Sequence, residues 1–198
     1  MAVLERTTWQ PLVMRMHPAF ELNADTFFDL AQLNRDLRLE LSAEGDLIVM
    51  PPTGGNTGRR NAVLTSRFVV WSHKHKQGEI FGSSTGFRLP SGAVRSPDVS
   101  WVSNEKLAKL TDAQMDKFPP LCPEFVLELR SPTDRLATLK EKMLEYLENG
   151  ATLGWLLDPQ EKRVYVYTAE GIQELREPER LEGTGVLEGF GLELTEIG

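Results

Sequence analysis

Three segments of the sequence carry side chains that could act together on a phosphate ester. Asp98 opens a predicted strand, Glu128 lies within the otherwise apolar strand 125–129, and Lys142 lies on the helix that follows. Burying an ionised carboxylate without a partner costs several kcal/mol, so Glu128 must be neutral, paired or bound to a cation. Lys142 stands at the edge of the buried helix stripe, where it can lean towards the strand ends.

This arrangement would suit a hard divalent cation beside a phosphate. The carboxylates of Asp98 and Glu128 and the main-chain carbonyl of Leu129 supply oxygen ligands, which Mg²⁺ or Mn²⁺ prefers. Such an ion lowers the pKa of a bound water and neutralises developing charge, with electrostatic help from Lys142 or Arg130. The reaction predicted on this basis is hydrolysis of a phosphodiester.

A structural interpretation of the same residues remains open. Glu128 could form a buried ion pair with Arg130, two positions along the same strand, or with Lys142. Spacing alone does not separate the two interpretations, because Pro-Asp and Glu-x-Arg pairs occur by chance in most chains of this length.

The composition suits one globular domain over residues 1–198. The chain has 29 acidic and 22 basic side chains, a formal charge of -7 and 40% hydrophobic residues. Cys122 is the one cysteine, which excludes an internal disulfide framework and a zinc ribbon. No apolar run approaches the roughly 18 residues of a membrane helix, and Glu5, Arg6 and Arg15 stand where a secretory signal would be apolar. We therefore expect no membrane association and a cytoplasmic location.

Positive charge is concentrated in one window of this acidic chain. Residues 47–97 carry seven basic side chains against one acid, so the window has a charge of +6 and the remainder -13. One face could therefore bind a polyanion such as DNA, although a solvated helix surface would show the same pattern. The basic residues on the predicted helix are Arg59, Arg60, Arg67, Lys74 and Lys76.

Hydrophobic periodicity and turn residues predict the N-terminal elements. Asn23 or Asp25 caps a short helix, and residues 37–50 form a hairpin around Gly45. Residues 56–76 form the longest helix, with its basic side chains outward and Gly78 as its stop. The short strand-like runs 80–81, 86–89 and 99–102 then suggest a β-meander.

The C-terminal half predicts a βαβ unit. Strands 125–129 and 153–157 flank a helix over 136–149 that Thr133 or Asp134 could cap. A hairpin over 164–175 follows.

Several motifs, taken in order, resemble the Uma family of putative restriction endonucleases over about residues 20–195. The resemblance implies an α/β (α+β mixed) fold with a restriction-endonuclease-like PD-(D/E)xK core. In it a mixed central sheet is flanked by helices, with an N-terminal β-hairpin, additional β-strands and acids that converge at one end. The motifs are Leu47–Pro52, Thr85–Pro90, Arg95–Asp98, Phe125–Glu128, Ser131-Pro132, Lys142 through Tyr146 to Gly150, and Trp155–Pro159.

The resemblance also implies roles for single residues. Asp98 and Glu128 match the acids of the motif, whereas Arg130 stands where the usual motif has lysine and is a poor base because it cannot be deprotonated. Lys142 matches a relocated lysine and is the predicted electrostatic catalyst. Glu40 matches an early acid and is a candidate metal or water ligand, unless it is a solvent-facing hairpin residue.

The leading hypothesis is therefore a Mg²⁺- or Mn²⁺-dependent DNA endonuclease. A non-catalytic DNA-binding or assembly module that retains the nuclease scaffold is the alternative, motivated by Arg130 and the acidic overall charge. A third hypothesis, hydrolysis of RNA or another phosphodiester, uses the same site. By resemblance we also expect a homodimer.

Overall fold

The fold is built from three β-sheets and five α-helices within residues 11–197, the part of the chain that this computed structural model describes. The helices are α1 (Ala24–Leu33), α2 (Gly55–His75), α3 (Asn104–Leu107), α4 (Asp112–Met115) and α5 (Leu136–Glu148). The strands are β1 (Leu12–Met14), β2 (Arg38–Leu41), β3 (Leu47–Met50), β4 (Gly78–Gly82), β5 (Phe87–Arg88), β6 (Val94–Arg95), β7 (Val99–Ser103), β8 (Phe125–Leu129), β9 (Leu153–Asp158), β10 (Arg163–Thr168), β11 (Gly171–Arg176), β12 (Arg180–Glu182) and β13 (Gly191–Glu193).

The central sheet has six strands in the order β11-β10-β9-β8-β7-β4. β8 and β9 are parallel and joined through α5, while the other neighbours are antiparallel. The sheet is therefore mixed, as predicted, and contains the predicted βαβ unit and final hairpin. Helices α2 and α5 both contact it.

Alternation along the central strands decides which side chains face the candidate site. Leu127 belongs to the core layer that contains Phe68 of α2, whereas Val126 belongs to the layer that contains Met143 of α5. Because side chains alternate with a period of two, Glu128 shares the α5 face with Val126. The acid thus lies under α5 rather than under the long basic helix.

The N-terminal sheet is antiparallel, with the strand order β1-β3-β2-β6-β5. The predicted hairpin is confirmed as β2 and β3, and Leu41 of β2 packs in a core cluster with Phe27 of α1. Asn23 caps α1 by accepting hydrogen bonds from the backbone N–H groups of Asp25 and Thr26. Since Leu41 faces this core, Glu40 faces the opposite side of β2.

The predicted β-meander is wrong. β4 pairs with β7 in the central sheet, but β5 and β6 join the N-terminal sheet, where Val94 pairs with Leu41. Turn chemistry indicates that strands are short and close in sequence. It does not indicate which of two sheets each strand joins.

Two predicted helix boundaries also differ from the structure. α2 ends at His75, and the capping residue Lys76 has the left-handed conformation, with φ of 55°. Gly78 begins β4 instead. α5 is preceded by Arg135 and has no side-chain cap, because the Asp134 carboxylate accepts a hydrogen bond from the Ser131 N–H. The predicted Thr133 or Asp134 cap is therefore wrong.

The sequence predicts neither a membrane helix nor a secretory signal. Within residues 11–197, no helix combines the length and apolarity that crossing a bilayer requires. Glu5 and Arg6, which bear on the prediction that no secretory signal is present, lie outside the described residues.

Gly78 generates a test of the fold. A Cβ at Gly78 would collide with the Val102 carbonyl and the Trp101 ring, whereas a Cβ at Gly82, in the same strand, would meet nothing within 4 Å. We expect Gly78→Ala to lower the free energy of unfolding by about 1–3 kcal/mol, as overpacking does. Gly82→Ala should change it by less than about 0.5 kcal/mol. Urea unfolding of both variants measures this, and equal effects would contradict the described packing of β4 on β7.

Candidate active site

A cleft of about 1040 Å³ runs between the N-terminal sheet, one end of the central sheet and α5. Glu40 of β2, Asp98 ahead of β7, Glu128 and Leu129 of β8, and Lys142 of α5 all line it. The cleft thus brings together most of the site residues predicted from sequence, including Glu40 and Lys142, which are 102 positions apart.

Lys142 lies between two carboxylates. Its Nζ is 2.8 Å from Glu40 Oε1 and 2.9 Å from Glu128 Oε1, and Tyr146 OH donates a hydrogen bond of 3.1 Å to the same Glu128 oxygen. The Lys142 side chain is only 12% exposed and the two carboxylates are buried. One ammonium group therefore serves two buried acids.

Glu40 has the most positive charge and hydrogen-bond donors around it of the acids in the cleft. Its Oε1 accepts a 3.0 Å hydrogen bond from the Ser96 N–H, and its Oε2 lies 3.3 Å from Arg95, which also forms a two-pronged ion pair with Glu145. Burial alone would raise the pKa of Glu40, but the charges of Lys142 and Arg95 outweigh burial and lower it. Glu40 is buried and ionised, so the solvent-facing alternative is wrong.

Glu128 is the acid that remains poorly compensated. Burial raises its pKa to about 7, because Lys142 offsets burial only in part and the nearby carboxylates of Asp98 and Glu40 raise it further. Lys142 itself keeps its proton: burial would lower its pKa, but Glu128 and Glu40 together raise it. The ionised form is therefore better stabilised at Glu40, which has donors besides the shared ammonium, than at Glu128.

Asp98 accepts hydrogen bonds, but no cationic side chain among residues 11–197 forms an ion pair with it. Its Oδ1 accepts from the Asn61 amide at 2.9 Å and its Oδ2 from the Leu129 N–H at 2.9 Å. Burial raises the pKa of Asp98, although the bond from Leu129 and the charges of Lys142 and Arg38 act in the opposite direction. The site therefore carries more negative charge than its own side chains neutralise.

This donor set fits a hard divalent ion. The N–H and C=O of one extended residue point to the same strand edge, so the Leu129 carbonyl faces the side on which Asp98 lies. Within residues 11–197, no three His, Cys, Asp and Glu side chains are grouped closely enough to hold a metal. An ion at this position would therefore use the two carboxylates of Asp98 and Glu128, the Leu129 carbonyl and water.

Arg130 lies elsewhere. Its guanidinium is 2.7 Å from Asp158 Oδ2 and also donates to the Asp134 carbonyl at 3.3 Å, and Arg130 is not among the residues that line the cleft. Strand β8 ends at Leu129, so alternation no longer places residue 130 beside Glu128. Of the two buried ion pairs left open by the sequence, the structure contains Glu128–Lys142.

The five basic residues predicted on the helix lie on α2 or directly after it, and none of them lines the cleft. Arg59, Lys74 and Lys76 are exposed, Arg60 is partly buried, and Arg67 forms an ion pair with Glu196 at the C-terminal end of the described chain. DNA binding by this surface stays a prediction.

Sequence analysis missed three residues that hold the site. Arg95 pairs with Glu40 and is itself held by Glu145, and Asn61 of α2 donates a hydrogen bond to Asp98. Arg95 is part of the Arg95–Asp98 motif, which was the available signal for it. Asn61 lies on a helix 37 positions before its partner and gave no signal.

The sequence matches the model of the Uma2 family, described as "Putative restriction endonuclease", over residues 24–195. Among solved structures, it is similar to a crystal structure described as a putative nuclease belonging to DUF820 from Anabaena variabilis ATCC 29413. The TM-score is 0.73 and the identity 18%, and the match covers 89% of this chain and 97% of that chain. The predicted restriction-endonuclease-like core is thereby confirmed. No curated protein matches the chain.

Removing the shared ammonium of Lys142 should destabilise the fold. We expect Lys142→Met to lower the free energy of unfolding by about 3–5 kcal/mol, because it leaves Glu40 and Glu128 without their common partner. Lys109→Met removes an exposed lysine that pairs with the exposed Glu105 four residues away, and should have no measurable effect. Urea unfolding at neutral pH compares them. A similar small loss in both variants would refute a buried Lys142.

The raised pKa of Glu128 predicts how stability depends on pH. The folded state binds the Glu128 proton up to about pH 7, whereas the unfolded chain releases it near the ordinary value of 4.5. The contribution of Glu128 to stability is therefore present below pH 4.5 and lost as the pH rises to about 7. Relative to Glu128→Gln, the wild type should lose about 3 kcal/mol across this window.

Unfolding by urea across this pH range measures that difference. Gln keeps an oxygen for the Tyr146 hydrogen bond, so loss of that bond does not distort the comparison. Parallel pH profiles for the two proteins would show that Glu128 titrates normally.

Proposed function

Since this chain belongs to the Uma2 family of putative restriction endonucleases, we propose that it is a divalent-cation-dependent nuclease that hydrolyses phosphodiester bonds in DNA. The observation that carries the proposal is the convergence of Asp98, Glu128 and Lys142 on one cleft. The nuclease fold supports it.

Each carboxylate has a defined place in the proposed site. Asp98 and Glu128, with the Leu129 carbonyl, would hold Mg²⁺ or Mn²⁺. When bound, such an ion polarises the phosphate and lowers the pKa of a coordinated water. Asn61 and the Leu129 N–H fix both oxygens of Asp98, so this ligand is oriented before any ion arrives.

Lys142 acts as a positive charge and not as a base. Its raised pKa keeps it protonated, so it would stabilise the negative charge that develops on the phosphate oxygens. Glu40 holds it from the opposite sheet, and Arg95 holds Glu40 in turn. Glu40 is therefore a positioning residue, since three donors already occupy its oxygens.

Arg130 has no direct part in this mechanism. Its ion pair with buried Asp158 joins the ends of β8 and β9, and its bond to the Asp134 carbonyl fixes the loop that leads into α5. We assign it the support of the site in place of the predicted catalytic role.

One observation favours a second candidate, a non-catalytic DNA-binding module. Lys142 pairs with both Glu40 and Glu128, so each of these two acids has a cationic partner from the protein itself. A module that lost turnover would keep this network as a structural ion pair. Binding of the ion separates the two candidates.

Cleavage assays test the nuclease proposal. Asp98→Asn and Glu128→Gln should reduce cleavage of plasmid DNA in Mg²⁺ or Mn²⁺ by more than the roughly 10–100-fold typical of residues behind the metal ligands. Glu105→Gln, an exposed acid outside the cleft, should leave the rate unchanged. Single-stranded DNA and RNA serve as alternative substrates in the same assay.

Calorimetric titration with Mn²⁺ gives an independent result. The wild type should bind the ion and Asp98→Asn should not, whether or not the correct substrate has been found. Undiminished cleavage by both variants would show that the site lies elsewhere. A wild type that binds DNA but no Mn²⁺ would favour the non-catalytic module.

A further inference from the structure

The cleft is negatively charged, which opposes the binding of a nucleic acid. Its lining contains eight acidic and four basic side chains, a formal charge of -4. Even with one divalent ion the cleft stays negative, so a phosphate backbone needs a positive group that is not already neutralised by the protein.

Most of the cations in the cleft are engaged. Arg95 pairs with Glu40 and Glu145, and Lys142 pairs with Glu40 and Glu128. Arg135 is exposed at the start of α5. Arg38 is the one that is both partly buried in the cleft and without an ion pair to a carboxylate among residues 11–197.

Arg38 is also placed next to the candidate metal ligands. It lies two residues before Glu40 on β2, so the two side chains share the strand face that lines the cleft. Its charge is close enough to Asp98 to act on that carboxyl. Two long hydrogen bonds, each 3.4 Å, join its terminal nitrogens to Thr53 Oγ1 and the Ser83 carbonyl.

These contacts leave donor capacity unused. A guanidinium has five N–H donors in a planar fork that matches two phosphate oxygens, and bonds of 3.4 Å lie beyond the usual 2.7–3.2 Å range of N–H···O bonds. A ligand oxygen could replace them at little cost.

We propose that Arg38 is a substrate-binding residue that holds a backbone phosphate of the nucleic acid in the cleft beside Asp98. This inference rests on the proposed function of the cleft and adds a residue to it. The competing explanation is that Arg38 clamps the Thr53 and Ser83 segments together and touches no substrate.

The salt dependence of binding tests the proposal. Affinity for a short duplex DNA is measured in Ca²⁺ over a series of salt concentrations, and the probe is checked for intactness afterwards. Arg38→Met should weaken binding about tenfold and reduce the slope of log affinity against log salt by about 0.9, the value for one lost phosphate contact. Arg38→Lys should keep the slope but bind more weakly, because it keeps the charge and loses the fork.

Arg35→Met is the matched control. It removes the same charge from an exposed arginine outside the cleft and should change neither affinity nor slope. Duplexes with single neutral methylphosphonates locate the contact: one replacement should weaken binding by the wild type and have no further effect on Arg38→Met.

If Arg38→Met lowers the free energy of unfolding but leaves affinity and slope unchanged, Arg38 is a structural clamp and the inference is overturned. A wild type that does not bind DNA would also overturn it. Binding requires no cleavage, so the two proposals fail separately. An unchanged slope in an enzyme that cleaves DNA overturns only the role of Arg38. An Arg38-dependent slope in a protein that never cleaves overturns only the nuclease.

Discussion

The contact on which this structure depends is the ammonium of Lys142 held between Glu40 and Glu128. The three charged groups come from α5, β2 and β8, so one buried ion network joins a helix to two sheets. Buried charges are costly unless each finds a partner in good geometry. The N-terminal sheet can therefore dock in few orientations, since any other leaves Glu40 or Lys142 buried and unpaired. The same constraint forms the cleft, because its walls are the three elements that the network joins.

The acids of the site are not equally stabilised by positive charge, and the shortage lies at Glu128 and Asp98. Glu40 shares the Lys142 ammonium with Glu128 but also has Arg95 and the Ser96 N–H as partners. Glu128 and Asp98 are therefore buried with too little positive charge beside them. A fold selected for stability alone would replace such acids with apolar residues of similar volume, which often costs nothing or stabilises. Their presence at the open end of the central sheet supports the cation site proposed above.

Much of this arrangement could be predicted from local patterns. The period-two alternation in β8 places Glu128 on one face, and the helical period in α5 places Lys142 at the edge of the buried stripe. Glu40 came from the family resemblance, and its burial could not be read from the hairpin because both faces of an exposed hairpin tolerate acids. The sheet to which β5 and β6 belong, the partner of Arg130 and the support from Asn61 all depend on tertiary contacts between distant residues. No local pattern encodes these contacts.

The position of the lysine explains why the proposed site does not need a lysine at position 130. A side chain two residues after Glu128 would face the cleft only if β8 continued, but the strand ends at Leu129 and residue 130 pairs with Asp158 instead. Helix α5 covers the same face of the sheet, and its buried neighbours Met143 and Tyr146 fix the rotation of the helix. An ammonium on this helix therefore reaches Glu128 from above the sheet. Its placement depends on core packing along a whole helix and not on the last residue of a strand.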